Sequence, residues 1–88
     1  PDIDLEDVKQ EVEKIPEVIN IHHIHIWSVG ENDVHFEAHI DIQDMMVSET
    51  CEIQEKIEHI LMEEFPINHI TLQFECDKCS PAKLIHNP

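Results

Sequence analysis

The sequence predicts a two-layer α+β domain with two helices and three strands in the order α-β-β-α-β. Three observations carry this reading. Residues 34–42 alternate apolar and polar without a break, two segments space their apolar residues as a helix does, and Pro16, Gly30 and Pro66 separate the elements. Eighty-eight residues suffice for one core of modest stability, and an apolar content of 41% supports it.

Asp4 is placed to cap the first helix, whose Leu5, Val8, Val12 and Ile15 share one face until Pro16 ends it. Residues 18–28 are rich in β-branched side chains and form the first strand. Ile24 and Ile26 read as inward, which sends His23, His25 and Trp27 outward. Ile19 and Ile21 share that outward parity, so a bulge or bend near His22 is expected to switch the register, and alternation alone does not fix the side of His22. Gly30-Glu31-Asn32-Asp33 is a hairpin turn. In the second strand Val34, Phe36, Ala38, Ile40 and Ile42 point one way, and His35, Glu37, His39 and Asp41 the other. Ser48 is expected to cap the second helix, which runs to about Phe65 with Ile53, Ile57, Ile60 and Leu61 as its apolar stripe. After Pro66, residues 67–75 alternate again, with Ile70, Leu72 and Phe74 inward and His69, Thr71, Gln73 and Glu75 outward. Periodicity ends after Cys76, so the expected domain is 1–79 with a flexible tail over 80–88. Two amphipathic helices on one face of a three-stranded sheet make a ferredoxin-like sandwich that lacks its last strand.

Charge narrows the function. Twenty acidic residues against five basic ones leave a net charge of −15. Such a surface repels phosphate backbones, which excludes nucleic acid as a partner, and it concentrates cations instead. Three cysteines do not form a disulfide framework and fit a reducing compartment. No signal peptide is recognisable, and no apolar run approaches the ~18–20 residues of a membrane span. The chain opens on Pro1, as an excised domain would. With no P-loop, nucleophile elbow or HExxH motif and a single glycine, the sequence does not read as an enzyme.

Residues 21–27, Ile-His-His-Ile-His-Ile-Trp, crowd three histidines into an apolar run, and the whole chain holds eight. Imidazoles in such a run serve metal binding, proton chemistry or merely a wet sheet face. Taken singly, a histidine here is ordinarily a solvated side chain, as His59 and His86 are expected to be. Together, however, His22, His25, His35, His39 and Glu75 can converge on neighbouring strands, and imidazole nitrogen with carboxylate oxygen is a ligand set for Zn²⁺ and similar cations. Cys76-x-x-Cys79 reads as a pair of surface thiols, half a zinc site or a redox pair. Redox is the weakest of the three, because no helix N-terminus follows to lower a thiol pKa. Cys51 lies in the first turn of the second helix, off the core stripe, where it could reach a metal bound on a partner subunit.

The stretch VINIHHIHIWSVGENDVHFEAHI, followed by a helix and FPINHITLQFE, resembles the cytoplasmic C-terminal domain of cation diffusion facilitators, which are zinc-type metal/proton antiporters. The likeness covers residues ~5–79 and rests on H-x-x-H-I-W, the Ala-His pair of the second strand and H-x-T-x-Q-x-E in the third, in that order. It is similar to the branch of cobalt-zinc-cadmium resistance exporters and vesicular zinc transporters. The resemblance implies an α-β-β-α-β fold, a homodimer, regulatory Zn²⁺ and a membrane domain elsewhere in the parent protein. It also implies His22, His39 and Glu75 as ligands, with His23 and His25 beside the metal or at the interface. Cys51 stands where some members place a ligating histidine, and Gln73 where some have a further one; glutamine is a poor ligand, which weakens the family's dinuclear arrangement here. Cys76 and Cys79 resemble the tail pair of the vesicular branch.

The expectation is therefore a metal-sensing, dimerising domain on the cytoplasmic face of a membrane, closing on Zn²⁺ and regulating an exporter. A stand-alone metallochaperone or metal buffer is the alternative, and a metal-independent regulatory domain a third. The metal is Zn²⁺ on this reading, with Cd²⁺, Co²⁺ or Ni²⁺ equally suited to the donors.

Overall fold

A computed structural model describes residues 3–76. Cys79, the expected domain limit at 79 and the tail over 80–88 lie outside them. The elements are α1 (Leu5–Glu13), β1 (Asn20–Val29), β2 (Asp33–Asp41), α2 (Val47–Glu64) and β3 (His69–Glu75). Their order is the expected one, and they make one α+β sandwich.

α1 starts where Asp4 accepts a hydrogen bond from the Glu6 amide at 2.9 Å. It ends at Lys14, two residues ahead of Pro16, whose ring disfavours helical backbone just before it. Val8, Val12 and Ile15 are buried as their spacing demands, while Leu5 stays exposed. α2 begins differently from the sequence expectation. Met46 is its N-cap and makes no side-chain bond, and Ser48 lies inside the first turn. Backbone does the capping work: the Glu49 amide donates to the Met46 carbonyl at 2.9 Å, so the helix is set by Ile53, Ile57 and Leu61 reaching the core rather than by Ser48.

β2 is the central strand, antiparallel to β1 and parallel to β3. Its inward residues Val34, Phe36, Ala38 and Ile40 are all buried, and they meet Val8, Val12, Ile53, Ile57 and Leu61 in one core. Both helices therefore cover the same face of the sheet. β3, at the edge, buries Ile70, Leu72 and Phe74 only in part.

The register resolves the phase of β1. His22 pairs with His39 and His25 with Glu37, so His23 and Ile24 oppose Ala38 alone. That is a β-bulge, and its first residue, His23, has φ +53°, a left-handed conformation that favours glycine. The extra residue lets Ile21 and Ile26 both face the core side while His22 and Trp27 both face outward. At the hairpin, Gly30 takes φ +75°, again the region where a Cβ is disfavoured.

Candidate metal centre

The helix-free face gathers the outward residues of all three strands. Cross-strand pairing sets His22 beside His39, and parallel pairing sets His39 beside Gln73 and Asp41 beside Glu75. These positions lie at one end of the sheet. At the other end, Trp27 stacks on His35 with ring centroids 5.3 Å apart, and His35 on His69 at 4.2 Å.

Glu75 is the hub of the first cluster. Its side chain is 11% exposed, and three groups hold it. His39 Nδ1 lies 2.5 Å from Oε2, Gln73 Nε2 donates to Oε2 at 2.9 Å, and His22 Nε2 stands 3.4 Å from Oε1. Burial pushes the carboxyl pKa up, but the bond to His39, the charges of His39 and His22 and the bond to Gln73 outweigh it and hold it below its ordinary value. An ionised carboxylate only accepts, so Nδ1 of His39 carries the proton and donates. His22 Nε2 also approaches Asp41 Oδ1 at 3.2 Å, and Asn20 Nδ2 donates to Asp41 Oδ2 at 3.4 Å.

Two overlapping groups of donors result, each with ligand atoms within 4.8 Å of one another: His22, Asp41 and Glu75, and His22, His23 and His39. Neutral imidazole with carboxylate suits Zn²⁺, Co²⁺ and their neighbours, so this corner fits a divalent cation by chemistry as well as by proximity. A bound ion would replace the His–carboxylate bonds that now hold the donors together, and imidazole protons would compete with it.

The expected ligands His22, His39 and Glu75 are thus brought to one place. His25 is exposed opposite Glu37 and joins neither group. Cys51 is exposed on α2, which packs against the opposite side of the sheet, and it joins neither group. Cys76, half-buried, follows Glu75 directly. Sequence reasoning did not name Asp41 as a ligand, although its parity with His39 was readable and only the β3 register adds the closeness to Glu75. A groove of about 680 Å³ between α1 and α2 lies on the helix side; none of its carboxylates belongs to a converging group among the described residues.

The family profile for the cytoplasmic domain of cation efflux proteins matches residues 1–77. The chain belongs to that family. Within it, the zinc transporter ZitB of Escherichia coli is 33% identical over 78 residues, covering 88% of this chain and 24% of ZitB. The cadmium, cobalt and zinc/H(+)-K(+) antiporter of Bacillus subtilis is 39% identical over 77 residues, covering 85% of this chain and 24% of the antiporter. This cation efflux domain therefore spans about a quarter of the length of these relatives. The metal-bound C-terminal domain of the CzcD transporter from Cupriavidus metallidurans superposes with a TM-score of 0.71 at 29% identity, covering 83% of this chain and 99% of that one. No helix among the described residues is long and apolar enough to cross a membrane.

Proposed function

We propose that this cation efflux domain senses cytosolic Zn²⁺ and dimerises, regulating a zinc or divalent-cation exporter through a membrane domain in the parent protein. The observation that carries the reading is the convergence of His22, His39, Asp41 and Glu75 from three strands onto one corner of an otherwise open sheet. The domain performs no chemistry of its own. Zn²⁺ binds at His22, His39 and Glu75, with Asp41 as a further oxygen donor, and Cd²⁺, Co²⁺ and Ni²⁺ suit the same donors. Cys51, on the helix side of the sheet, takes no part in a site enclosed between two outer faces. Cys76 lies one residue from Glu75, within about 3.8 Å of backbone, and with Cys79 supplies an additional thiolate site.

Closure follows from charge. Each protomer carries a formal net charge of −15, so apposition of two outer faces is repulsive until divalent cations neutralise the carboxylates at the contact. Ligand at about 100 times its Kd shifts such a two-state equilibrium by roughly 2.7 kcal/mol, enough to populate the closed form. Sedimentation at low ionic strength, with and without Zn²⁺, tests this. Zn²⁺ is expected to convert monomer to dimer, or an open dimer to a more compact one, and His39→Ala to abolish the response. A hydrodynamic state indifferent to Zn²⁺ would refute the sensing role.

A further inference from the structure

His23 is the one non-glycine residue with positive φ among those described, and it sits in the bulge with its imidazole on the outer face. A left-handed conformation is disfavoured at any residue that carries a Cβ. The sheet does not need the residue. Without His23, the run Ile21, His22, Ile24, His25, Ile26, Trp27 would alternate without interruption.

Its ring lies among two others. His22 and His23 have centroids 4.9 Å apart, His23 and His39 4.8 Å, and His22 and His39 5.4 Å, with the planes tilted by 57°, 84° and 54°. A metal–nitrogen bond of about 2.0–2.1 Å, and roughly 1.1 Å more to the ring centre, puts imidazole centroids about 5.2 Å apart at tetrahedral angles and about 4.5 Å at right angles. The three observed separations fall around that range. The ring separations are thus compatible with one shared ion, and a ligand nitrogen of each ring lies within 4.8 Å of the others.

The carboxylates fix which nitrogens are free. His39 gives Nδ1 to Glu75, and His22 turns Nε2 toward Asp41 and Glu75. Each ring thus keeps its other nitrogen for a ligand, in the arrangement by which a carboxylate behind a histidine orients it and raises its basicity.

We propose that His23 forms, with His22 and His39, a second cation site made of nitrogen alone, alternative to the oxygen-rich group of His22, Asp41 and Glu75. It takes late first-row divalent cations, which favour nitrogen over oxygen and reach their highest affinity at Cu²⁺. Because the proposed Zn²⁺ site also uses His22 and His39, the two sites compete, and the cation chooses between them by its donor preference. The inference rests on the metal-binding reading above, since His22 and His39 serve both.

The test titrates the 88-residue chain with Cu²⁺ and, separately, Zn²⁺ by calorimetry, and counts coupled nitrogens on bound Cu²⁺ by electron paramagnetic resonance. The variant is His23→Gly, which keeps the positive φ and removes the ring. Deletion of His23 is the second variant, in case the first perturbs folding. Either variant is expected to lower Cu²⁺ affinity about tenfold or more and to reduce the coupled nitrogens from three to two, with Zn²⁺ affinity changed less than about threefold. Unchanged Cu²⁺ affinity and hyperfine pattern overturn the inference while Zn²⁺ sensing stands. Equal loss for Cu²⁺ and Zn²⁺ overturns the division into two sites. Failure of the unaltered chain to bind either ion overturns both readings.

Discussion

His39 Nδ1 lies 2.5 Å from Glu75 Oε2, a charge-assisted bond that ties the central strand to the edge strand on the outer face. The pair is adjacent through fold alone, 36 residues apart in the chain. Glu75 thereby holds His39 in one tautomer.

Glu75→Gln keeps the size of the side chain and removes its charge. Zn²⁺ affinity is expected to fall about tenfold or more by calorimetry, because both a donor and the group that orients His39 are lost. In the unaltered chain, Zn²⁺ binding is expected to weaken as the pH falls, because protons compete with the metal for imidazole nitrogens. An affinity that stays flat from about pH 7.5 to 5.5 would assign the ion to carboxylates alone.

Glu13 joins α1 to β1. Its Oε2 accepts from Lys9 Nζ at 2.7 Å and from the Ile21 amide at 3.1 Å. The Lys9 bond, opposed by partial burial and helped by the Ile21 amide, holds its pKa below the ordinary carboxylate value. A lowered pKa means stability that is present above the unfolded value and lost as the pH falls through the folded one. Urea unfolding at pH 7 should therefore show Glu13→Gln less stable by about 1 kcal/mol. The two proteins should converge as the pH falls through the lowered pKa of the folded wild type, where its own carboxylate becomes protonated. A gap that persists in acid would mean that shape rather than charge joins the two elements.

Ile57 is fully buried on α2. Ile57→Val should destabilise by about 1 kcal/mol and Ile57→Ala by about 2–5 kcal/mol, since the larger deletion leaves a cavity. Urea midpoints read the series, and two equal small losses would show that α2 can shift to fill the space.

Trp27 is the single tryptophan and is 44% exposed at the hairpin end of the outer face. If closure covers the whole face, Zn²⁺ should shift its fluorescence to the blue, and His39→Ala should abolish the shift. A Zn²⁺-dependent dimer with unchanged emission would confine the contact to the Glu75 end.

β2 was legible because one face is buried and the other wet, which imposes strict alternation; every inward residue from Val34 to Ile42 is buried. The bulge was legible as a parity conflict between Ile21 and Ile24, and its place near His22 with it, but not which residue takes the left-handed conformation, since a histidine carries no signal for positive φ. Ser48 misled because a side-chain cap is worth about 1 kcal/mol, less than seating Ile53, Ile57 and Leu61 in the core. Asp41 and Glu75 come together through the parallel β2–β3 pairing, whose alignment depends on the α2 crossover and cannot be counted along the chain.

The bulge separates two properties that a regular strand would bind together. In a regular strand, adding or removing one residue moves every later side chain to the wrong face. Here β1 carries one residue more than β2 needs between His22 and His25. A single-codon deletion at His23 would leave Ile24, Ile26 and the core where they are and change only the donors offered to a cation. On the two-site proposal, metal preference can therefore be edited without renegotiating the fold.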